Sequence, residues 1–226
     1  MSAAERYAWP AQPETNRRYT VREYLEFDAQ AEGRWEFLGG YIYPVGRPDL
    51  VNQLDPQFRA GASPAHYELN WVLSGLLFGR LPETCRAFAN DARVYIPVTK
   101  GYVYPDVVIV CGQQEFDDPT AKLPSLTNPV VIVEILSDAT GEYDRSGKFM
   151  RYASIESLRH YVLVDSRKVL VEVFTRGDAG WLYTQASQPT DVVELTAVQC
   201  CLSVSELYAN LDLPTVEATM PPDPID

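Results

Sequence analysis

Two carboxylates stand where their surroundings give no structural reason for them. Asp106 follows Pro105 at the head of Val107-Val108-Ile109-Val110, and Glu134 interrupts the apolar run from Pro129 to Leu136. An acid among Val and Ile must lie at a strand end, pair with a base or bind a cation, because burying an unpaired charge costs several kcal/mol. If the two runs are neighbouring strands, the acids share an oxygen-rich site. Such a site suits a hard divalent cation, Mg²⁺ or Mn²⁺, which keeps several waters and accepts phosphate oxygens. Pairing of each acid with a nearby arginine is the alternative.

Downstream, Ser137 to Gly141 reads as a loop, and Asp144 is placed to cap a helix from about Arg145 to Ser154. Arg145, Lys148 and Tyr152 share one face of that helix. If the face looks back at the strand ends, a cation stands beside the two acids; otherwise Lys148 is a solvated lysine. His66 is a candidate proton carrier or a hydrogen-bond partner of the adjoining loop. His160, just before a strand, reads as structural. Arg17, Arg18 and Arg93 are residues that could meet a phosphate backbone.

The elements that must position these groups follow from pattern. Thr20-x-x-Glu23 is a capping box opening a short amphipathic helix. Arg34 to Leu38 and Tyr41 to Tyr43 flank Gly39-Gly40 as a hairpin. Gly46 to Gly61 has no pattern and reads as a long loop. Ser63 caps a helix in which Leu69, Val72, Leu73, Leu76 and Leu77 recur at helical spacing. Strands are expected across Cys85 to Ile96, Tyr102 to Val110, Pro129 to Leu136, His160 to Val164, Val169 to Phe174 and Trp181 to Gln185. A last helix, Ser203 to Tyr208, carries a second capping box, Ser203-x-x-Glu206. This predicts one α/β domain with a central mixed sheet flanked by helices over residues 19–212, a loose arm over 1–18 and a Pro-rich acidic tail over 213–226.

The 226 residues carry 19 Lys+Arg against 31 Asp+Glu, a net charge of −12 with 2 His. This disfavours a protein that coats nucleic acid or an anionic membrane. Cys85, Cys111, Cys200 and Cys201 form no Cys-x-x-Cys pair and read as ordinary buried thiols, with Cys200 and Cys201 on opposite strand faces. No apolar leader or membrane-length run is present, so a cytoplasmic location is expected. No Gly-rich loop ending in Lys-Ser/Thr and no Gly-x-Ser-x-Gly elbow occurs, which argues against a nucleotide triphosphatase or a serine hydrolase.

Five blocks together carry a resemblance: Arg34-Trp35-Glu36-Phe37-Leu38-Gly39-Gly40, Ser63-Pro64-Ala65-His66, Tyr104-Pro105-Asp106-Val107-Val108, Pro129 to Ser137, and Tyr143-Asp144-Arg145-x-x-Lys148-x-x-x-Tyr152. In order and spacing, from about Tyr19 to Leu211, they resemble the cyanobacteria-rich bacterial family named "putative restriction endonuclease" of the PD-(D/E)XK nuclease superfamily. The resemblance implies a restriction-endonuclease-like core with Mg²⁺ or Mn²⁺ held by Asp106 and Glu134, and Glu36 as an added carboxylate ligand. The superfamily lysine two residues after the Glu is absent, since Leu136 stands there; Lys148 on the following helix is the position that fits. His66 and Tyr152 are auxiliary candidates. The implied activity is metal-dependent hydrolysis of DNA phosphodiesters, with Asp106, Glu134, Lys148 and Glu36 as the catalytic set. The alternative is a descendant that keeps the fold and binds without cutting. A homodimer is expected by analogy, with Val169 to Phe174 as a possible isologous surface. DNA contact should be weak and salt-sensitive, through a confined basic rim.

Overall fold

The structure is a computed structural model that describes residues 13–14, 17–31, 33–45, 63–137 and 144–214. The Gly46 to Gly61 loop lies outside the described residues, as do most of the N-terminal arm, the acidic tail and the segment after Ser137.

Helix α1 (Val21–Asp28) opens on the expected box. Thr20 accepts from the Glu23 N–H at 3.2 Å while the Glu23 carboxylate accepts from the Thr20 N–H at 2.7 Å. Strands β1 (Trp35–Leu38) and β2 (Tyr41–Pro44) form the hairpin, closed by Gly39 and Gly40 at φ 61° and 89°, values that glycine reaches without a Cβ penalty. Helix α2 (Pro64–Arg80) starts at Ser63, whose side chain accepts from the His66 N–H. Then follow β3 (Cys85–Ala89), β4 (Val94–Ile96), β5 (Gly101–Val103), β6 (Val107–Cys111) and β7 (Val131–Leu136). A π-helical turn, Asp144–Lys148, runs into the short α3 (Phe149–Tyr152). The chain ends with β8 (His160–Asp165), β9 (Val171–Gly177), β10 (Gly180–Ala186), a ribbon of β11 (Val192–Leu195) and β12 (Cys200–Ser203), and α4 (Val204–Leu207).

Six strands make the central sheet in the order β10-β9-β8-β7-β6-β3, and β2-β1-β5-β4 form a second sheet. The central sheet is mixed because β7 and β8 run parallel while its other pairs are antiparallel. Parallel neighbours need a crossover, and that crossover carries the π turn and α3. Strand alternation then sorts two cores. Val107, Ile109, Val131, Val133 and Ile135 pack with Leu69, Leu73 and Leu77 of α2. Val108, Val110, Ile132 and Leu136 point the other way, to Tyr152, Ile155, Leu158 and Tyr161. Among the described residues no helix is long and apolar enough to cross a membrane.

Several sequence expectations are corrected here. Tyr102 to Val110 is two strands in two sheets, broken at Tyr104-Pro105-Asp106; Pro105 has no N–H to give a ladder, and the chain changes sheet there. Cys85 to Ile96 is likewise β3 and β4 in different sheets. Cys85 and Cys111 are joined in a disulfide, since the antiparallel register of β3 on β6 sets them opposite one another, a pairing their separation in sequence does not reveal. Cys200 and Cys201 take opposite faces of β12 as expected, but Cys201 is exposed and not a buried thiol. Only half of the Ser203 box forms: the Glu206 carboxylate accepts from the Ser203 N–H and pairs with Arg80, while Ser203 Oγ lies 2.8 Å from Ser205 Oγ and caps nothing. Strand β9 lies between β8 and β10, so both its edges are taken and neither is free to pair with a second copy.

His160 is structural, with a readable tautomer. The Ala197 N–H donates to Nε2 at 3.2 Å, so Nε2 is unprotonated and Nδ1–H faces Thr175 Oγ1 at 3.1 Å. Burial holds its pKa below the usual 6.5, so the unfolded chain binds the proton more readily. The contribution of His160 to stability is therefore complete above pH 6.5 and shrinks as pH falls below it. Urea melts at pH 7.5 and 5.5 should show this loss, and it should shrink in His160→Gln; an equal loss in both proteins would count against the assignment.

Candidate active site

The site lies where the two sheets meet. The β6–β7 register pairs Val107 with Val133 and Val108 with Ile132, and continuing it one residue sets Asp106 opposite Glu134. The link is direct: the Ile135 N–H donates to Asp106 Oδ2 at 2.7 Å. Pro105 ends the passage from β5 to β6 and leaves Asp106 at the open strand end, its side chain 19% exposed. Its other oxygen, Oδ1, is 3.4 Å from His66 Nε2, which the first turn of α2 presents to it. The His66 Nδ1 atom is buried without a hydrogen-bond partner.

Glu134 points to the Tyr152 side of the sheet and is 3% exposed. Its Oε1 accepts from Tyr152 O–H at 2.8 Å and from Lys148 Nζ at 3.1 Å. Glu36 arrives from β1 in the other sheet, where its Oε1 accepts from the Tyr104 N–H at 3.2 Å. Tyr104 therefore ties Glu36 to the segment that carries Asp106. Below it, Asp28 Oδ2 accepts from Tyr104 O–H at 2.8 Å and pairs with Arg93 at 2.6 Å. Arg93 also donates to Ser125 Oγ and to the Leu123 carbonyl, so it is a buried strut and not the phosphate contact its residue type allowed.

The π turn explains which residues reach the site. Lys148 and Tyr152 both meet Glu134, as their shared helical face predicts. Arg145 does not join them: the wider winding turns it to Asp165 and Glu172, at 3.3 and 2.6 Å. The same turn brings in Asp144, read from sequence only as a helix cap. Asp144 is 2% exposed, with Oδ1 3.0 Å from Lys148 Nζ but not aligned for a hydrogen bond. Three carboxylates, Glu134, Asp144 and Glu36, thus act on one lysine, and Asp106 acts on Glu134.

The electrostatics follow from burial and this excess of acid. Burial pushes Glu134 well above the usual carboxylate range; Lys148 opposes the shift, and Asp144, Asp106 and Glu36 add to it. Burial likewise raises Glu36, against Lys148. Burial alone would lower Lys148, but Asp144, Glu134 and Glu36 outweigh it and hold the ammonium charged. A further cation would relieve the repulsion that remains. Among the described residues no three Asp, Glu, His or Cys side chains are arranged to enclose a metal ion. The oxygen donors of Asp106 and Glu134 suit a hard divalent ion, whose shell water and phosphate oxygens would have to complete.

The mixed sheet with its crossover between β7 and β8 has a nuclease-like fold. It is shared with a crystal structure from Anabaena variabilis described as a "putative nuclease belonging to DUF820", at a TM-score of 0.61 and 16% identity over 84% of this chain and 97% of that one. The family model "Uma2: Putative restriction endonuclease" matches residues 21–205, and the chain belongs to that family. Two Synechocystis proteins are similar along most of their length. The uncharacterized protein sll1609 is 32% identical over 76% of this chain and 89% of its own, and the uncharacterized protein slr1290 is 30% identical over 84% and 90%.

Proposed function

We propose that the chain is a Mg²⁺- or Mn²⁺-dependent endonuclease that hydrolyses DNA phosphodiester bonds, acting as a homodimer in the cytoplasm. The observation that carries this reading is the convergence of Asp106 and Glu134 across the β6–β7 register, with Lys148 delivered to Glu134 by the crossover. Family membership and the nuclease-like fold support it. A divalent ion on this pair would lower the pKa of a bound water and polarise the phosphoryl oxygen.

The remaining work falls to the protein's own groups. The Ile135 amide and the His66 imidazole hold Asp106 from two sides, so its carboxylate meets a ligand in one orientation. The Tyr152 hydroxyl does the same for Glu134. Lys148 offsets charge as it grows on the phosphate in the transition state, from a buried position where such an interaction is stronger than in water. Glu36, held by the Tyr104 N–H, adds negative charge behind the pair without joining it as a third ligand.

Supercoiled plasmid incubated with Mg²⁺ or Mn²⁺ tests the reading. Nicking is expected for the wild type and a loss of at least about a hundredfold for Asp106→Ala. Cleavage unchanged by that substitution would mean a contaminant. Absence of cleavage on every DNA and RNA tried, with ligand binding intact, would favour a binding protein on a nuclease fold.

A further inference from the structure

Lys148 occupies an unusual position for a residue beside a metal-binding carboxylate. Its ammonium is 3.1 Å from Glu134 Oε1, so its charge competes with a cation for that carboxylate. Glu134 Oε1 also serves Tyr152 O–H, which leaves that oxygen fully engaged. On the other side of the ammonium, at 3.0 Å, lies Asp144 Oδ1, a buried atom with no hydrogen bond of its own. The two carboxylates are almost equidistant from Nζ, and both are buried.

We propose that Asp144 is a positioning residue that draws Lys148 off Glu134, opening the Glu134 carboxylate to a divalent cation while keeping the lysine charged inside the site. The inference rests on the metal-dependent reading above and adds a role for Asp144, which that reading does not use. Asp144 is suited to the task by its place. It lies four residues before Lys148 on the π turn, so the two move as one unit. Its main-chain carbonyl accepts from Tyr161 O–H at 3.0 Å, which anchors the turn against β8. A small swing of the ammonium satisfies Oδ1 and takes its charge off Glu134, whose Oε1 then keeps only the Tyr152 hydrogen bond. Without Asp144 the buried ammonium has Glu134 as its nearest carboxylate, and desolvation makes leaving it costly.

A cycle of Mn²⁺ titrations by calorimetry on the full chain separates this role from simple charge removal. Asp144→Asn is expected to weaken Mn²⁺ binding by about tenfold or more, as loss of a supporting residue around a metal ligand commonly does. Lys148→Met should strengthen binding by less than about threefold in the wild-type background and by about tenfold in the Asp144→Asn background, because the lysine blocks Glu134 only when Asp144 is gone. Two independent charges would instead give the same factor in both backgrounds, and that result overturns the proposal. If Asp144→Asn does not fold, Asp144→Ser carries the same cycle. Wild-type protein that binds no Mn²⁺ would overturn the metal reading and this inference with it; binding with equal factors overturns the inference alone.

Discussion

Glu134→Gln is expected to lower metal-dependent plasmid nicking by at least about a hundredfold, the scale on which removal of one preorganised electrostatic group acts. Folding should be little affected. The amide keeps an oxygen for the Tyr152 hydroxyl and for Lys148, and Lys148 retains Asp144. Loss of one charge from a cluster with four acids also relieves repulsion. A change in stability below about 2 kcal/mol is therefore expected, within the ordinary range for point substitutions. The separation of the two effects is the informative result, read from nicking rates beside circular-dichroism melts. Wild-type cleavage by a well-folded Glu134→Gln protein would remove Glu134 from the chemistry.

The second large effect lies away from the reacting groups. Asp28→Ala should destabilise the fold by about 3–5 kcal/mol, because it leaves the Arg93 guanidinium buried and uncompensated. Both side chains are almost wholly enclosed, at 1% and 3% exposure. In a chain of this size each kcal/mol lowers the melting temperature by roughly 2–4 °C, so thermal unfolding should move down by on the order of 10 °C. Tyr104→Phe is the matched control: it removes one donor to Asp28 but keeps the ion pair, and should cost only about 1 kcal/mol. Equal melting temperatures for Asp28→Ala and wild type would mean that the pair carries no net stability.

Asp106 and Glu134 were legible because they contradict their surroundings. A carboxylate in a run of Val and Ile has few structural explanations, and the β6–β7 register sets Asp106, just before β6, opposite Glu134 inside β7. Helix α2 was equally plain, since Leu69, Leu73 and Leu77 sit on one helical face and Ser63 marks its start. What stayed hidden depends on distant partners or on unusual winding. Tyr102 to Val110 looks continuous because apolar residues line both of its strands, and only Pro105 signals that the chain changes sheet. Helical spacing aligns Arg145 with Lys148, but a π turn shifts the phase and sends Arg145 to Asp165 and Glu172. Asp144 resembles a helix cap in every local respect; its burial beside Lys148 comes from the crossover packing back on the sheet. The Cys85–Cys111 bridge follows from strand register, which adjacent residues do not encode. The −12 charge argued against tight nucleic-acid coating, and three of its acids, Glu134, Asp144 and Glu36, act on Lys148.

The hydrogen bond from the Ile135 amide to Asp106 has an evolutionary corollary. Its donor belongs to the main chain, so every amino acid except proline supplies it. Drift at position 135 can alter side-chain packing but leaves this tie in place, and alanine at 135 would pass over the contact without a trace. The tie between the two strands can therefore be inherited through changes in the side chain at 135, held by an atom on which selection of side chains has almost no purchase.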